Sequence, residues 1–255
     1  MNLLNMIKSE KTKLFSTKSP YITITLMLVI ISLLVLVASY ALNSEATVDN
    51  SNIITIFSSI VTELAGMILM IMSILSITGE YHTGTIKTTF QASPKRYNVI
   101  IGKATFYGIF SMIVAEIMLV ITLLIAKITE KTYIIDLTSS EAITAYWAIP
   151  LYIFFVVLFG LGIGMILRQT STAVTISLLW IYVIESILMS IPKLKDTIGN
   201  LLPFDNATRF LNNSITEPFD QSYHWGTTGS IVYFALFTII IFIIGIIITV
   251  KKDVN

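Results

Sequence analysis

The chain alternates long apolar runs with short polar intervals. Six runs, at about 21–42, 53–77, 104–126, 146–167, 171–191 and 230–250, each hold more than 20 residues. A helix rising about 1.5 Å per residue needs roughly 20 residues to cross a hydrocarbon core about 30 Å thick. The pattern predicts an all-α membrane protein: one domain over residues 1–255, with six transmembrane helices and no internal repeat beyond the rhythm of the spans.

The polar intervals differ in kind. Residues 1–20 carry Lys8, Lys11, Lys13 and Lys18 against one acid, Glu10, and Leu4, Ile7, Leu14 and Phe15 fall roughly on one side of a helix. That reads as an amphipathic helix in the headgroup plane, with Pro20 at the corner into the first span. A plainer reading is a positive tail that only sets orientation. A cleaved signal peptide is not expected, because the first apolar run starts late and is too long for a signal core.

Eleven lysines and arginines fall in the tail, the 78–103 interval, Arg168 and the C-terminus, against five in the alternate intervals. The positive-inside rule then places both termini and the 78–97 segment in the cytoplasm. Of the external loops, 43–52 is short and acidic, 127–145 is mixed, and 192–229 is the longest. There, Leu201-Leu-Pro-Phe204 and Ala207-Thr-Arg-Phe-Leu211 mix apolar and polar residues in short helical lengths, as in broken helices dipping into the outer interface. Tyr146, Trp147, Tyr152, Tyr223 and Trp225 lie near the predicted outer boundaries, where amphipathic rings prefer to sit.

Composition narrows the chemistry. The chain is 55% hydrophobic and 12% charged, whereas soluble domains carry about 25% charged residues. A net charge of +1 gives no reason to invoke nucleic acid, and the lack of cysteine excludes disulfides and thiolate chemistry. There is no phosphate-binding G-x-x-x-x-G-K-[ST] loop. His82 and His224 are far apart and form no H-E-x-x-H pair, and no nucleophile turn is present, so the chain is not expected to be an enzyme by itself.

Three acids lie inside the spans: Glu63, Glu116 and Glu185. An ionised acid at mid-bilayer costs at least ~2.5–3.5 kcal/mol, so each must face protein or water. They read as the lining of an outward substrate pathway for cationic or amphipathic cargo, or as protonated acids hydrogen-bonded for packing. Gly160-x-Gly162-x-Gly164 in the fourth span reads as close helix packing, with a hinge or a dimer seam as the sharper alternative.

The most structured polar interval runs from Thr78 to Tyr97. Thr78-Gly-Glu closes the second span, Thr83-Gly-Thr85 offers a turn with a capping hydroxyl, and Ile86, Thr89 and Phe90 share one helical face. Ser93-Pro94 stops the segment before Lys95 and Arg96. This stretch resembles the E-x-x-x-G-T…P-x-R segment of the membrane subunits of type-2 ATP-binding-cassette exporters (ABC-2 type transporters). The likeness extends to an amphipathic N-terminal elbow helix, six spans and short helices between spans five and six, along the whole chain.

By that resemblance the fold is the ABC-2, type V exporter-like one, and 78–97 holds a cytoplasmic coupling helix that docks on an ATPase. Glu80, Gly84, Thr85, Pro94 and Arg96 occupy the family's signature positions, with Tyr81, His82 and Phe90 in the same coupling segment. His82 stands where many members carry arginine, which implies a weaker or pH-sensitive contact. Alanine at Glu80 or Phe90 would then uncouple hydrolysis from transport without unfolding the chain.

The resemblance implies two membrane subunits, identical or paralogous, and two ATPase subunits that hold ATP and magnesium, with no cofactor in this chain. It also implies a bacterial plasma membrane; abundant Ile, Asn and Lys fits an AT-rich Gram-positive source. Amphipathic peptides, antimicrobials or lipid-like molecules are the implied cargo, phenol-soluble modulins among them. The competing expectation is an ion- or proton-coupled transporter or channel that uses Glu63, Glu116 and Glu185 without an ATPase.

Overall fold

The apolar runs form helices longer than their hydrophobic cores. The structure is a computed structural model that describes residues 3–44, 53–91, 96–191, 198–215 and 226–252. Among these, the helices are α1 (Leu3–Phe15), α2 (Ser19–Ser44), α3 (Ile53–Thr83), α4 (Thr85–Gln91), α5 (Arg96–Thr129) and α6 (Ser140–Leu167), followed by α7 (Thr170–Ser190), α8 (Pro203–Ile215) and α9 (Thr227–Lys252). No strand occurs among the described residues. Six of the helices, α2, α3, α5, α6, α7 and α9, are long and apolar enough to cross a membrane, the architecture of a multi-pass membrane protein.

The helix at the centre is α6, which packs on α3, α5 and α9. Of its most apolar stretch 67% is buried inside the chain, against 22% for α2 and 17% for α7 and for α9. The outer helices bury one stripe only: α2 turns Met27, Ile31 and Val35 inward at a spacing of four, while Ile22, Leu26, Leu33 and Val37 stand exposed. An apolar face left outside suits a hydrocarbon solvent, in which leucine against lipid loses nothing.

Because lipid gives helices no hydrophobic reason to associate, close packing and small residues must hold them together. The α6 glycines serve that purpose. A Cβ at Gly160 would meet Met70 and Ser73 of α3, and one at Gly164 would meet Ile77 of the same helix. A Cβ at Gly162 would lie 3.0 Å from the backbone of Ile241 and Phe242 in α9, where Gly245 faces back toward the Gly162 carbonyl. The glycine run is therefore a two-sided packing seam inside the chain, in line with the packing expectation.

Both described ends of the chain lie at one end of the bundle. There α1 reaches α3 and α5 through Lys13, Glu80 and Lys103, and the last turns of α9 meet Tyr81 through Thr249. At the far end, Asn43 latches α2 to the α5–α6 connection, accepting from the Lys131 and Thr132 amides at 3.1 Å and donating to the Thr129 carbonyl at 2.8 Å. The turn between α6 and α7 takes two residues and makes these helices antiparallel neighbours, as its length predicts. Arg168 closes α6 with φ 58°, in the left-handed region, and its amide donates to the Gly164 carbonyl.

Helix α1 docks on the bundle along one stripe. Its buried stripe is Met6, Glu10 and Leu14, while Leu4 is 70% exposed and Phe15 lies at the surface. The stripe can include an acid because Glu10 finds a cation, Lys103, in the wall it meets.

Candidate functional site

Two sets of residues carry chemistry, one at each end of the bundle. At the end bearing the termini, α3 runs on past its hydrophobic core to Thr83 and is stopped by Gly84 at φ 71°. Glycine adopts that left-handed geometry without the Cβ penalty of other residues. Helix α4 starts at once at Thr85. The Thr83 hydroxyl bonds back to the Gly79 carbonyl at 2.9 Å and pairs with the Thr85 hydroxyl at 2.9 Å, so it braces the turn.

The inner face of α4 is apolar. Ile86 and Phe90 are buried against Met6 of α1, Ile77 of α3, Val99 and Ile100 of α5 and Leu161 of α6. Arg96, the first residue of α5, lies 5.7 Å from the Phe90 ring. The outer side exposes His82, Thr83, Thr85, Lys87 and Thr88. Pro94 falls outside the described residues.

Glu80 does not face outward. It belongs to a four-residue ionic network in which Lys103 Nζ reaches Glu10 at 2.5 Å and Glu80 at 3.0 Å, and Lys13 Nζ reaches Glu10 at 2.7 Å and Glu80 at 2.9 Å. The Lys103 ammonium also donates to the Ser76 carbonyl at 3.3 Å, which gives it three acceptors. Two charges of each sign in mutual contact let Glu10 and Lys103, both at most 3% exposed, remain inside the fold. Burial by itself would lower the Lys13 pKa; hydrogen bonds and attraction from Glu10 and Glu80 outweigh that and raise it.

Beside this network, Tyr81 joins α3 to the α6–α7 turn and to α9. Its hydroxyl is 2.8 Å from that of Thr249, and the Arg168 guanidinium lies 4.9 Å from its ring centre. Arg168 also donates to the Ile248 carbonyl at 3.2 Å. His82 borders an open cleft with Arg168, Gln169, Thr170 and Ser171. Glu80, Tyr81, His82, Gly84, Thr85, Phe90 and Arg96 are thus brought together around one base.

The three span acids are not gathered in one place. Glu185 is buried and accepts from Trp180 Nε1 at 2.8 Å, the Phe204 amide at 3.3 Å and the Asp205 amide at 2.9 Å. Those amides are orphan donors of the first turn of α8, which opens on Pro203. Glu185 is an N-terminal cap supplied from α7. Glu63 on α3 is exposed, with the Tyr182 hydroxyl donating to its backbone carbonyl at 3.2 Å. It shares a cleft of about 230 Å³ with Glu185. Glu116 stands apart on α5, half-buried. Replacing Glu185 with alanine strands three donors, each costing about 1–3 kcal/mol when buried, so we expect a fall in the thermal midpoint and early proteolysis at α8.

Glu10, Lys13 and Lys103 escaped the sequence reading as a functional set. The one available signal was Glu10 lying four residues from both Met6 and Leu14, an acid on an otherwise apolar stripe. Compared with protein-family models and with curated proteins, the chain matches none.

Proposed function

We propose that this chain is the membrane subunit of an ATP-driven exporter of the type-2 ATP-binding-cassette kind, with the α3–α4–α5 base as its contact with a separate ATPase. The observation that carries this is the two-faced α4: it joins the two longest helices, 31 and 34 residues, seals its inner face into the bundle and leaves a polar outer edge unburied. A short helix clamped between two long rods transmits a push as a displacement of the rods. A surface turn with no inner packing would absorb it.

In this reading the unit is two membrane subunits, identical or paralogous, with two ATPase subunits binding ATP and magnesium in the bacterial cytoplasm. ATP binding draws the ATPases together and moves both α4 segments. Helices α3 and α5 then shift the cavity between the membrane subunits from inward or inner-leaflet access to outward release. Each state binds cargo differently, and that difference drives directional movement. Amphipathic peptides, antimicrobials and lipid-like molecules are the cargo class. Transport by the three acids without an ATPase has less support, since Glu185 is engaged in capping and Glu116 lies apart from Glu63.

The test is purification of the chain together with the ATPase encoded beside it. Copurification is expected, and Lys87→Glu with Thr88→Glu on the outer edge of α4 should lower transport-linked hydrolysis at least tenfold while leaving the stability of the membrane chain within about 0.5 kcal/mol of wild type. Transport sustained with no ATPase present would end the proposal.

A further inference from the structure

A carboxylate in a hydrophobic bundle is costly unless charge or hydrogen bonds compensate it. Two of the acids around the cleft at the far end are provided for: Glu185 by its three N–H donors and Asp205 by Arg209. Glu63 is hydrogen-bonded to the Tyr182 side chain but enters no ion pair among the described residues. It stands where two adjoining clefts meet, of about 230 and about 150 Å³, both bordered by Glu63, Tyr152 and Thr208.

The second observation is independent of charge. Ser58, one turn before Thr62 on α3, lines the smaller cleft, is 1% exposed, and its Oγ has no hydrogen-bond partner. Of the buried hydroxyls that share this lack, Ser39, Thr55, Thr122 and Ser177, Thr55 lines the same cleft, so two free hydroxyl oxygens converge there. A third feature lies opposite: α7 widens into a π-helical turn over Leu179–Ile184, which holds Tyr182 against Glu63. Such turns are frequent at functional sites.

We propose that this groove binds the ammonium group of an amphiphile, with Glu63 as counter-ion. An alkylammonium brings one positive charge and three N–H donors and has no acceptor. The groove supplies the complement: one carboxylate with no cationic partner among the described residues, hydroxyl oxygens at Ser58 and Thr62, and the rings of Tyr152, Tyr182 and Phe204 to flank the cation and its first methylenes. A metal ion demands a closed shell of oxygens, whereas this groove is open and partly aromatic. No cluster of three acidic, histidine or cysteine side chains that would hold a metal occurs among the described residues.

The role as a cargo site rests on the export reading. Binding is measured on the membrane chain alone, so its failure leaves the ATPase association standing, and the converse also holds. The purified chain in phosphatidylcholine nanodiscs is titrated with dodecylammonium and with dodecanol, followed by tryptophan fluorescence. Saturable binding of dodecylammonium, weakened at least tenfold by Glu63→Gln while dodecanol is unaffected, is the expected result. Ser58→Ala, which removes only an unpaired hydroxyl, should weaken it severalfold with an unchanged thermal midpoint, and serves alone if Glu63→Gln does not fold. A lysine-bearing amphipathic helix and its lysine-acetylated counterpart form the second arm. Glu63-dependent binding of the helix identifies a peptide source for the ammonium, and binding of dodecylammonium only identifies a small amine. Equal binding by wild type and both variants overturns the proposal, as does Glu63-dependent stabilisation by sodium with no response to either ammonium probe.

Discussion

Replacing Lys103 with methionine should detach α1 and cost about 3–5 kcal/mol, the range measured when one member of a buried ion pair is removed. The side chains of Lys103 and Glu10 are 3% and 4% exposed and lie 2.5 Å apart, so neither carboxylate of the network gains water when the lysine goes. Both would then lean on Lys13, whose side chain is 41% exposed. The companion change decides the cause. With Glu10→Leu added to Lys103→Met, one carboxylate leaves with its cation and a single pair, Lys13 to Glu80, remains at 2.9 Å. Most of the lost stability should return, because apolar replacement of a buried pair is often neutral. Thermal midpoints of the monodisperse protein and protease cleavage at residues 16–18 report the two effects; a single variant within 1 kcal/mol of wild type would falsify the buried-network account.

The same network has a definite pH signature. Since the Lys13 pKa is raised in the fold above 10.5, its contribution to docking α1 is fully present below pH 10.5 and lost as pH rises through the higher folded value. Protease cleavage after α1 should therefore accelerate only under strongly alkaline conditions.

This network also decides which side chains can test the coupling role proposed for α4. Glu80 is held by Lys13 and Lys103, and Phe90 is packed under Arg96. Alanine at either position should also loosen the base itself, so its effect would not report on partner contact alone. Exposed Lys87 and Thr88 test contact with a partner without disturbing the packing beneath.

The spans were legible because hydropathy over about 20 residues is a one-dimensional signal, and all six apolar runs correspond to helices. Their ends were less so. Helix α5 begins at Arg96 and α3 continues to Thr83, several residues past the apolar cores at 104 and 77, because backbone hydrogen bonding continues where lipid contact stops. The turn at Gly84 and the shared face of Ile86 and Phe90 were legible for a local reason: both depend on residues within one or two turns. Glu10 and Lys103 are 93 positions apart, and Glu185 caps a helix about 20 residues away across a loop. Such pairings follow from packing of whole helices, which no local pattern encodes.

Leucine at Gly162 should be as damaging as the loss of Lys103, by an opposite mechanism. A Cβ there sits 3.0 Å from the backbone of Ile241 and Phe242, and a Cβ at Gly245 sits 2.9 Å from the Gly162 carbonyl. Main chain cannot rotate away as a side chain can, so α6 and α9 must separate along their seam. Overpacking costs typically 1–3 kcal/mol and occasionally more; with backbone as the obstacle, about 3 kcal/mol is expected. The effect should spread, because α6 also holds α3 and α5. Gly79 supplies the control: nothing lies within 4 Å of its Cβ position, so alanine there should be neutral or stabilise α3 by up to about 1 kcal/mol through helix propensity. Oligomeric state measured beside the thermal midpoint separates the two readings of the glycine run. A seam between subunits would lose the dimer and keep the midpoint of each chain. A seam between α6 and α9 lowers the midpoint of the single chain first, whatever its partner does.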